Sequence, residues 1–261
     1  MAETIQLQET LSRYAEAVPS LSTIPPEQVD LLARYCEYTW DWNEKINLTR
    51  HTDFDKFVKH DVVDALALSR QIKDGERVLD VGSGGGVPGV LLKILRPALH
   101  VDLCESVKKK ATCLADIVNR LELKQDLYVG RAEDVLPDVR YNTLTFRAVA
   151  KMARILEWMR PLQNSFDRIL MIKGPAWVEE RGEARHFGMM TNMSLRKLEE
   201  YTLPNTATDT LPDAVSVILQ ICNKNRQLDD GGVLMTEWKR EDRSGRKFRT
   251  RKPSNNGSTE F

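Results

Sequence analysis

The residues most able to do chemistry are an acid at the end of an apolar run and the glycine-rich turn that follows it. The run is Val78-Leu79-Asp80-Val81, and five glycines lie between Gly82 and Gly89. Glycine is needed where the backbone takes a positive φ or approaches a ligand more closely than a Cβ allows. The pattern predicts a ligand-binding turn between a strand and a helix.

Two classes of ligand suit such a turn. Gly84, Gly86 and Gly89 satisfy the dinucleotide spacing, with Glu105 as the acid about twenty residues further on. A dinucleotide places a doubly charged pyrophosphate on the turn, however, and the carboxylate of Asp80 would repel it. S-adenosylmethionine has no phosphate and carries a cationic sulfonium and a cationic ammonium group, which an acid attracts. We therefore expect S-adenosylmethionine as cofactor rather than a nicotinamide.

Polar residues follow the next two predicted strands, where ligands bind in open parallel sheets. Glu105 ends the second strand, and its carboxylate is suited to accept hydrogen bonds from both ribose hydroxyls of a nucleoside. The alternative is an acid that stabilises the start of the following helix. Ala132 and Glu133 follow the third strand and suit the edge of an adenine, with a helix cap as the alternative for Glu133.

Basic residues end the fourth and fifth predicted strands. Arg147 could use its planar fork to bind a guanine, a phosphate or the carboxylate of the donor, and so orient a reacting group. An intramolecular ion pair is its alternative role. Lys173 is a second candidate catalytic residue that could meet a phosphate, unless it only extends from the strand end into solvent. We expect both side chains at one edge of the sheet.

The reaction class is narrowed by motifs that the sequence does not contain. The fourth strand is not followed by the Asp or Asn, Pro, Pro and aromatic residue that accompany methylation of exocyclic amines. No cysteine follows a proline, as a nucleophile for carbon-5 methylation of pyrimidines would. A ring nitrogen with an available lone pair, such as nitrogen 7 of guanine, needs neither the amine-binding motif nor a cysteine nucleophile. Positioning and electrostatics suffice for it.

Short apolar runs alternate with helical patterns in the middle of the chain. Strands are predicted at 77–81, 100–105, 127–130, 143–147, 169–173 and 214–222, and helices at 88–95, 107–121 and 151–160. Residues 195–203 are a candidate for one further strand. The alternation predicts an α/β fold, with a parallel sheet covered by helices on both faces. The expected architecture is the Rossmann-like sheet of class I S-adenosylmethionine methyltransferases with a helical segment before it.

Three regions are expected along the chain. Residues 1–72 show apolar residues at helical spacing and form the helical segment, and residues 73–225 form the donor-binding domain. Residues 226–261 are a basic tail with the composition of a disordered segment. Within the tail, Trp238–Lys252 contains eight Lys or Arg residues, which either contact phosphates or serve only to solubilise the protein.

Composition limits the partners and the cellular compartment. The 38 basic and 38 acidic residues balance, so contact with a nucleic acid must come from a local patch. Four cysteines without paired spacing suggest neither a disulfide framework nor a metal site. The N-terminus does not resemble a signal peptide, and the chain has no run of eighteen apolar residues. We expect a cytoplasmic protein with no membrane partner and no metal.

Several of these motifs together resemble the small-subunit ribosomal RNA methyltransferase G family, formerly glucose-inhibited division protein B. The resemblance covers about residues 30 to 222. The motifs are Leu79–Gly89, Glu105-Ser106 followed by lysines, Arg131-Ala132-Glu133, Arg147-Ala148, Leu170–Gly174, Trp42-Asn43, Ile46-Asn47-Leu48-Thr49, His60 and Asp64. The chain departs from the family where Ala65 follows Asp64, since the family usually has a serine there. It also has a looser basic C-terminus.

The resemblance implies a function and a set of contacts. Members of the family transfer a methyl group from S-adenosylmethionine to nitrogen 7 of one guanine in 16S ribosomal RNA, so the RNA or the small ribosomal subunit is the expected partner. The implied donor contacts are Gly82, Val87, Ala132, Glu133 and Arg147, in addition to Asp80, Gly84 and Glu105.

Two other functions stay open on the sequence. One is a methyltransferase that acts on another RNA, a protein or a small molecule, and the other is a nucleotide-binding module without turnover. The helical segment and the basic tail favour a macromolecular substrate, because small-molecule enzymes usually close a lid over their pocket.

Overall fold

The computed structural model of the protein describes residues 1–203 and 214–224. The helices are α1 (Ala2–Tyr14), α2 (Pro26–Asn43), α3 (Phe54–Lys56), α4 (Val63–Ser69), α5 (Gly89–Leu95), α6 (Lys108–Arg120), α7 (Ala132–Val135), α8 (Met152–Met159) and α9 (Trp177–His186). The strands are β1 (Arg77–Val81), β2 (His100–Glu105), β3 (Leu127–Val129), β4 (Tyr141–Arg147), β5 (Phe166–Lys173), β6 (Met193–Leu203) and β7 (Ala214–Asn223). A π-helical stretch, Phe57–Val62, joins α3 to α4, and 3-10 turns occupy Pro19–Thr23 and Arg160–Leu162.

The seven strands form one sheet in the order β3-β2-β1-β4-β5-β7-β6. The α/β class and the seventh strand are confirmed. The prediction of a parallel sheet is correct for the first five strands and wrong for β7, which is antiparallel to both β5 and β6. The reason is the short link between β6 and β7, residues 204–213, since a parallel connection needs a crossover of about a dozen residues or more.

Strand register gathers the predicted site residues at one edge of the sheet. Asp80 in β1 lies level with Leu103 in β2 and with Thr145 in β4. The carboxyl ends of β1, β2 and β4 therefore meet beside the glycine-rich turn, at the edge where open parallel sheets bind ligands. We call this the carboxyl edge, and the opposite side the amino edge.

The helical segment before the sheet shares a hydrophobic core with it. Leu32 of α2 and Phe57 belong to the same buried cluster as Val90 of α5 and Leu114 of α6. Burial of such side chains is the main stabilising contribution to folding. The helices of residues 1–72 are therefore packed directly against the elements that follow the glycine-rich turn.

Helix α9 was not predicted from the sequence. Ala184 is the one fully buried residue of α9, which also contains Gly182, so this stretch of sequence lacks the apolar periodicity that indicates an amphipathic helix. The basic tail, residues 226–261, lies outside the described residues. Within the part of the chain that is described, no helix has both the length and the apolar character that a bilayer crossing requires. Cys36, Cys104, Cys113 and Cys222 are all buried free thiols.

A buried polar network lies at the amino edge of the sheet. Arg168 of β5 is 1% exposed and donates from Nε to the hydroxyl of Thr143 at 2.9 Å. Its Nη1 donates to Gln220 at 2.9 Å, and its Nη2 donates to the carboxylate of Glu76 at 2.9 Å and to the carbonyl of Gln71 at 2.6 Å. Every nitrogen of this guanidinium therefore has a partner inside the protein.

Candidate functional site

The turn after β1 needs glycine at several positions. Gly82, Gly84 and Gly86 have φ values of +73°, +57° and +108°, a region that L side chains rarely adopt. A Cβ on Gly82 would lie 2.8 Å from the side chain of Val149, whereas a Cβ on Gly84 would meet nothing closer than 3.9 Å. The turn is thus packed on one side, against the segment after β4, and open at Gly84.

The backbone amides of this turn are already engaged within the protein. The N–H groups of Gly82 and Ser83 donate to the carbonyl of Cys104, at 2.8 and 3.1 Å. The N–H of Gly84 donates to the carboxylate of Glu105 at 2.8 Å. A pyrophosphate site needs such amides free to face the anion. The amides of Gly82, Ser83 and Gly84 are therefore not free to face a phosphate.

Asp80 lies beneath the turn and is 1% exposed. Its Oδ2 accepts from the N–H of Gly89 at 3.1 Å, and its Oδ1 accepts from the hydroxyl of Thr145 at 2.9 Å. Burial raises the pKa of this carboxyl to about 6. Asp80 thus ties the strand to the first residue of α5, and the structure does not present its carboxylate to a ligand surface.

Glu105 is also buried, at 5% exposure, but sits where a ligand would meet the open side of the turn. One carboxylate oxygen accepts from the N–H of Gly84 and the other from the N–H of Val107 at 2.7 Å. Val107 is the N-cap residue of α6, so Glu105 also has the role that the sequence left as the alternative, an acid at the start of this helix. Because each carboxylate oxygen has a second acceptor position, Glu105 can accept ribose hydroxyls as well.

The third strand end lies next to Glu105. The N–H of Gly130 donates to the Glu105 carbonyl at 3.0 Å, which places Ala132 and Glu133 of α7 at the same edge. Ala132 is 3% exposed, while Glu133 lies in the first turn of α7 and pairs with Arg131 at 3.6 Å. Glu133 is not the helix cap, because Arg131 occupies the N-cap position.

Two further predicted residues are held by neighbours. Val87, within the turn, is half-buried against the core of the helical segment. Lys173 is tied down at the end of β5, where its ammonium donates to the carbonyl of Ala150 at 2.8 Å and pairs with Glu180 of α9 at 2.8 Å. Lys173 thus links β5, the segment after β4 and α9, and its ammonium is engaged by these two partners.

Arg147 is held by acids from the helical segment. Its Nε donates to Asp64 Oδ2 and its Nη2 donates to Asp61 Oδ1, both at 2.7 Å, and Nη2 also reaches the carbonyl of His60 at 3.2 Å. Burial disfavours the charged form, but the two carboxylates raise the pKa of Arg147 above its ordinary value. In the described chain, no acceptor is bonded to Nη1. The ion pair that the sequence left as an alternative is thus present, with one nitrogen still available.

Sequence reasoning missed most of the residues around Arg147. The hydroxyl of Tyr201 in β6 donates to Asp64 at 2.5 Å, and Nδ1 of His51 lies 2.9 Å from Asp61. His60 stacks on His51 with ring centroids 4.9 Å apart. His60 and Asp64 were noted only as parts of the family resemblance, and no local pattern marks Tyr201 as a site residue.

The helical segment also contacts the turn itself. The hydroxyl of Tyr35 in α2 donates to the carbonyl of Gly85 at 2.9 Å. The side-chain oxygen of Asn43 accepts from the N–H groups of Leu48 and Thr49, and Leu48 lies against Gly85. The segment that carries the Asn47-Leu48-Thr49 motif therefore forms one wall beside the turn. Across residues 1–203 and 214–224, no group of three His, Cys, Asp or Glu side chains is placed to hold a metal ion.

Known proteins resemble this chain over most of its length. The GidB profile, described as rRNA small subunit methyltransferase G, matches residues 28–206. A ribosomal RNA small subunit methyltransferase G from Rhodopirellula baltica is 44% identical over 206 residues, which cover 75% of this chain and 89% of that protein. The protein of the same name from Lactobacillus helveticus is 34% identical over 192 residues, covering 70% and 80%.

A solved structure is similar at a lower level. Precorrin-6y C5,15-methyltransferase from Geobacter metallireducens aligns with a TM-score of 0.48 at 13% identity and covers 62% of this chain and 86% of that one, which is too distant to bear on function. The profile match and the sequence relatives are sufficient to assign the family. The chain belongs to the rRNA small subunit methyltransferase G family.

Proposed function

We propose that this protein transfers a methyl group from S-adenosylmethionine to ring nitrogen 7 of a guanine in 16S ribosomal RNA. One observation carries the proposal. The turn between β1 and α5 has the amides of Gly82, Ser83 and Gly84 bonded within the protein and the carboxylate of Glu105 at its open side, in a member of a family named for ribosomal RNA methylation. Such a turn suits a cationic nucleoside better than a dinucleotide.

The residues present fit the donor. The free acceptor positions of Glu105 suit the ribose hydroxyls, the space above Gly84 admits a ligand, and Ala132 and Glu133 flank the adenine position. Nη1 of Arg147 suits the donor's carboxylate. Asp80 supports the turn from below. S-adenosylmethionine, when bound, supplies a methyl group on a cationic sulfonium.

The electrostatics of the site agree with methylation of a ring nitrogen. Asp61, Asp64 and Arg147 together carry one formal negative charge beside the turn, which favours a cationic product such as 7-methylguanine. Nitrogen 7 has no proton to lose, so no general base is needed. Burial and the neighbouring His51 lower the pKa of His60, so this imidazole stays neutral at physiological pH.

The proposed partner is the 16S RNA, alone or in the small ribosomal subunit, which sets the cytoplasm as the place of action. The chain has no net charge, so the RNA must meet local basic surfaces. The basic stretch Trp238–Lys252, outside the described residues, is one candidate for such contacts.

The test has two stages. Calorimetry should show binding of S-adenosylhomocysteine and no appreciable binding of NAD, and Glu105→Ala should weaken that binding by roughly 1–3 kcal/mol because a charged hydrogen-bond partner is lost. Glu157→Ala, which removes an exposed carboxylate of α8, is the matched control and should leave the affinity unchanged. Single-turnover transfer of labelled methyl to 16S RNA should then give 7-methylguanosine in nucleoside mass spectrometry.

Some outcomes would reject the proposal. A methyl group on an exocyclic amine, a pyrimidine or a ribose would show that the assigned chemistry is wrong. NAD binding in place of S-adenosylhomocysteine would overturn the donor. Unchanged affinity in Glu105→Ala would remove Glu105 from the donor site and leave the rest to be tested separately.

A further inference from the structure

Two buried carboxylates reach the carboxyl edge from outside the sheet. Asp61 belongs to the π-helical stretch before α4 and Asp64 to α4, and they are 3% and 7% exposed. Both side chains bind Arg147 at the end of β4, at 2.7 Å each. Buried carboxylates are costly unless they are paired, so this arrangement commits both acids to one guanidinium.

The two acids fix the orientation of Arg147. Asp64 binds Nε and Asp61 binds Nη2, which are different nitrogens of the planar guanidinium. Two such attachments set both the position and the plane of the group. The remaining nitrogen, Nη1, has no bonded acceptor among the residues that the structure describes, and its direction is therefore set by the two acids.

Each acid is in turn held by a second partner. Asp64 uses Oδ2 for Arg147 and accepts from the hydroxyl of Tyr201 through Oδ1, at 2.5 Å. Asp61 uses Oδ1 for Arg147, while its Oδ2 lies 2.9 Å from Nδ1 of His51. Both oxygens of each carboxylate are engaged, so neither acid can rotate away from Arg147 without breaking one of these contacts.

We propose that Asp61 and Asp64 are positioning residues that aim Nη1 of Arg147 at the methionyl carboxylate of the donor, and that Tyr201 positions Asp64 for this task. The inference rests on the proposed function, since it takes the donor to bind at the carboxyl edge. It assigns the helical segment and β6 a part in donor binding, although none of these three side chains contacts the donor.

The test is a double-mutant cycle on the affinity for S-adenosylhomocysteine, measured by calorimetry on the full chain. Asp64→Asn should weaken binding on the order of tenfold, and Tyr201→Phe should weaken it by a smaller factor of about three. In an Arg147→Ala background both substitutions should have no further effect on affinity, because the residue they act through is gone. Substitutions that merely reduced stability would not depend on Arg147 in this way.

Asp167→Asn is the matched control. Asp167 lies in β5 at the amino edge, is 4% exposed and pairs with Arg140, so its loss also breaks a partly buried ion pair. We expect a lower melting temperature. The affinity for S-adenosylhomocysteine should stay within about twofold of wild type, which is less than about 0.5 kcal/mol of binding free energy at about 1.4 kcal/mol per tenfold.

The inference is overturned if Asp64→Asn binds as tightly as wild type, or if its loss persists undiminished in the Arg147→Ala background. If Asp64→Asn does not fold, the same criteria applied to Tyr201→Phe decide. A wild-type protein that does not bind S-adenosylhomocysteine would instead refute the proposed function. A wild type that binds it and methylates no RNA would refute the methyl-transfer proposal and leave this inference standing, because its readout is donor affinity.

Discussion

Arg168 and Arg147 belong to adjacent strands, and both are held by buried carboxylates, yet their surroundings differ. The side chain of Arg168 is 2% exposed and that of Arg147 is 19% exposed. All three nitrogens of Arg168 donate inside the protein, to partners that include Glu76, Thr143 and Gln220. Arg147 donates through two nitrogens, and Nη1 has no acceptor in the described part of the chain.

The difference separates a stabilising network from a ligand site. A buried network in which every donor and acceptor is paired has no group left for a ligand, so its contribution is to the fold. An arginine that is oriented by two acids, is partly exposed and has one nitrogen without a protein acceptor in the described chain can bind an incoming anion. The amino edge therefore stabilises the sheet, whereas the carboxyl edge combines stability with a free donor group.

The largest expected effect is at the amino edge. Arg168→Met leaves the carboxylate of Glu76 buried without its cation, and we expect the free energy of unfolding to fall by about 3–5 kcal/mol. The affinity of the folded protein for S-adenosylhomocysteine should stay unchanged. Urea denaturation and calorimetry measure the two quantities. Adding Glu76→Gln should restore part of the stability, and weakened donor binding in Arg168→Met would break the contrast between the two edges.

The reverse pattern is expected at Arg147. Arg147→Lys keeps a cation beside Asp61 and Asp64, so the free energy of unfolding should fall by less than the loss of about 3–5 kcal/mol expected when a buried carboxylate loses its cation. A point charge cannot reproduce the planar fork, and we expect the single-turnover rate of methyl transfer to fall on the order of 10²-fold. Rapid-quench assays with 16S RNA check the rate. Full activity would remove Arg147 from the site.

A smaller effect concerns the buried acid beneath the turn. The pKa of Asp80 is raised from 3.8 to about 6, so the folded protein keeps a proton that the unfolded chain releases. The stability this contributes is complete below the unfolded pKa and is lost as pH rises through about 6. Relative to Asp80→Asn, the free energy of unfolding of wild type should fall by about 1 kcal/mol between about pH 5 and about pH 7. An opposite or absent slope in denaturation experiments would contradict the burial of this charge.

The smallest effect is a rate that does not respond to pH. Arg147 stays charged and His60 stays neutral above the ordinary histidine pKa of about 6.5, so we expect neither side chain to exchange a proton with the substrate. We expect the single-turnover rate at saturating donor to vary less than about twofold from about pH 6.5 to about pH 9. A profile that rises with a pKa near 7 would indicate a general base and contradict a purely positional mechanism.

Much of the fold could be predicted from local patterns. The runs that form β1 to β5 and the helices α5, α6 and α8 are apolar at strand or helix spacing, and each observed element begins and ends within three residues of its predicted bounds. The place of β7 could not be predicted in this way, because antiparallel insertion between β5 and β6 depends on which strand edges are free after the rest of the sheet has formed.

The same distinction between local patterns and tertiary packing applies to the candidate site. By itself the sequence determined which residues stand at the strand ends and that the turn must be glycine-rich, since positive φ and strand alternation are local requirements of the backbone. Only the tertiary structure decided how the side chains are used. Asp80 supports the turn, and Lys173 binds Glu180. Arg147 donates to Asp64, which in turn accepts from Tyr201. Asp64 precedes Arg147 by 83 positions, and Tyr201 follows Asp64 by 137 positions. Contacts between residues so far apart in the sequence arise from tertiary packing, which local sequence patterns do not predict.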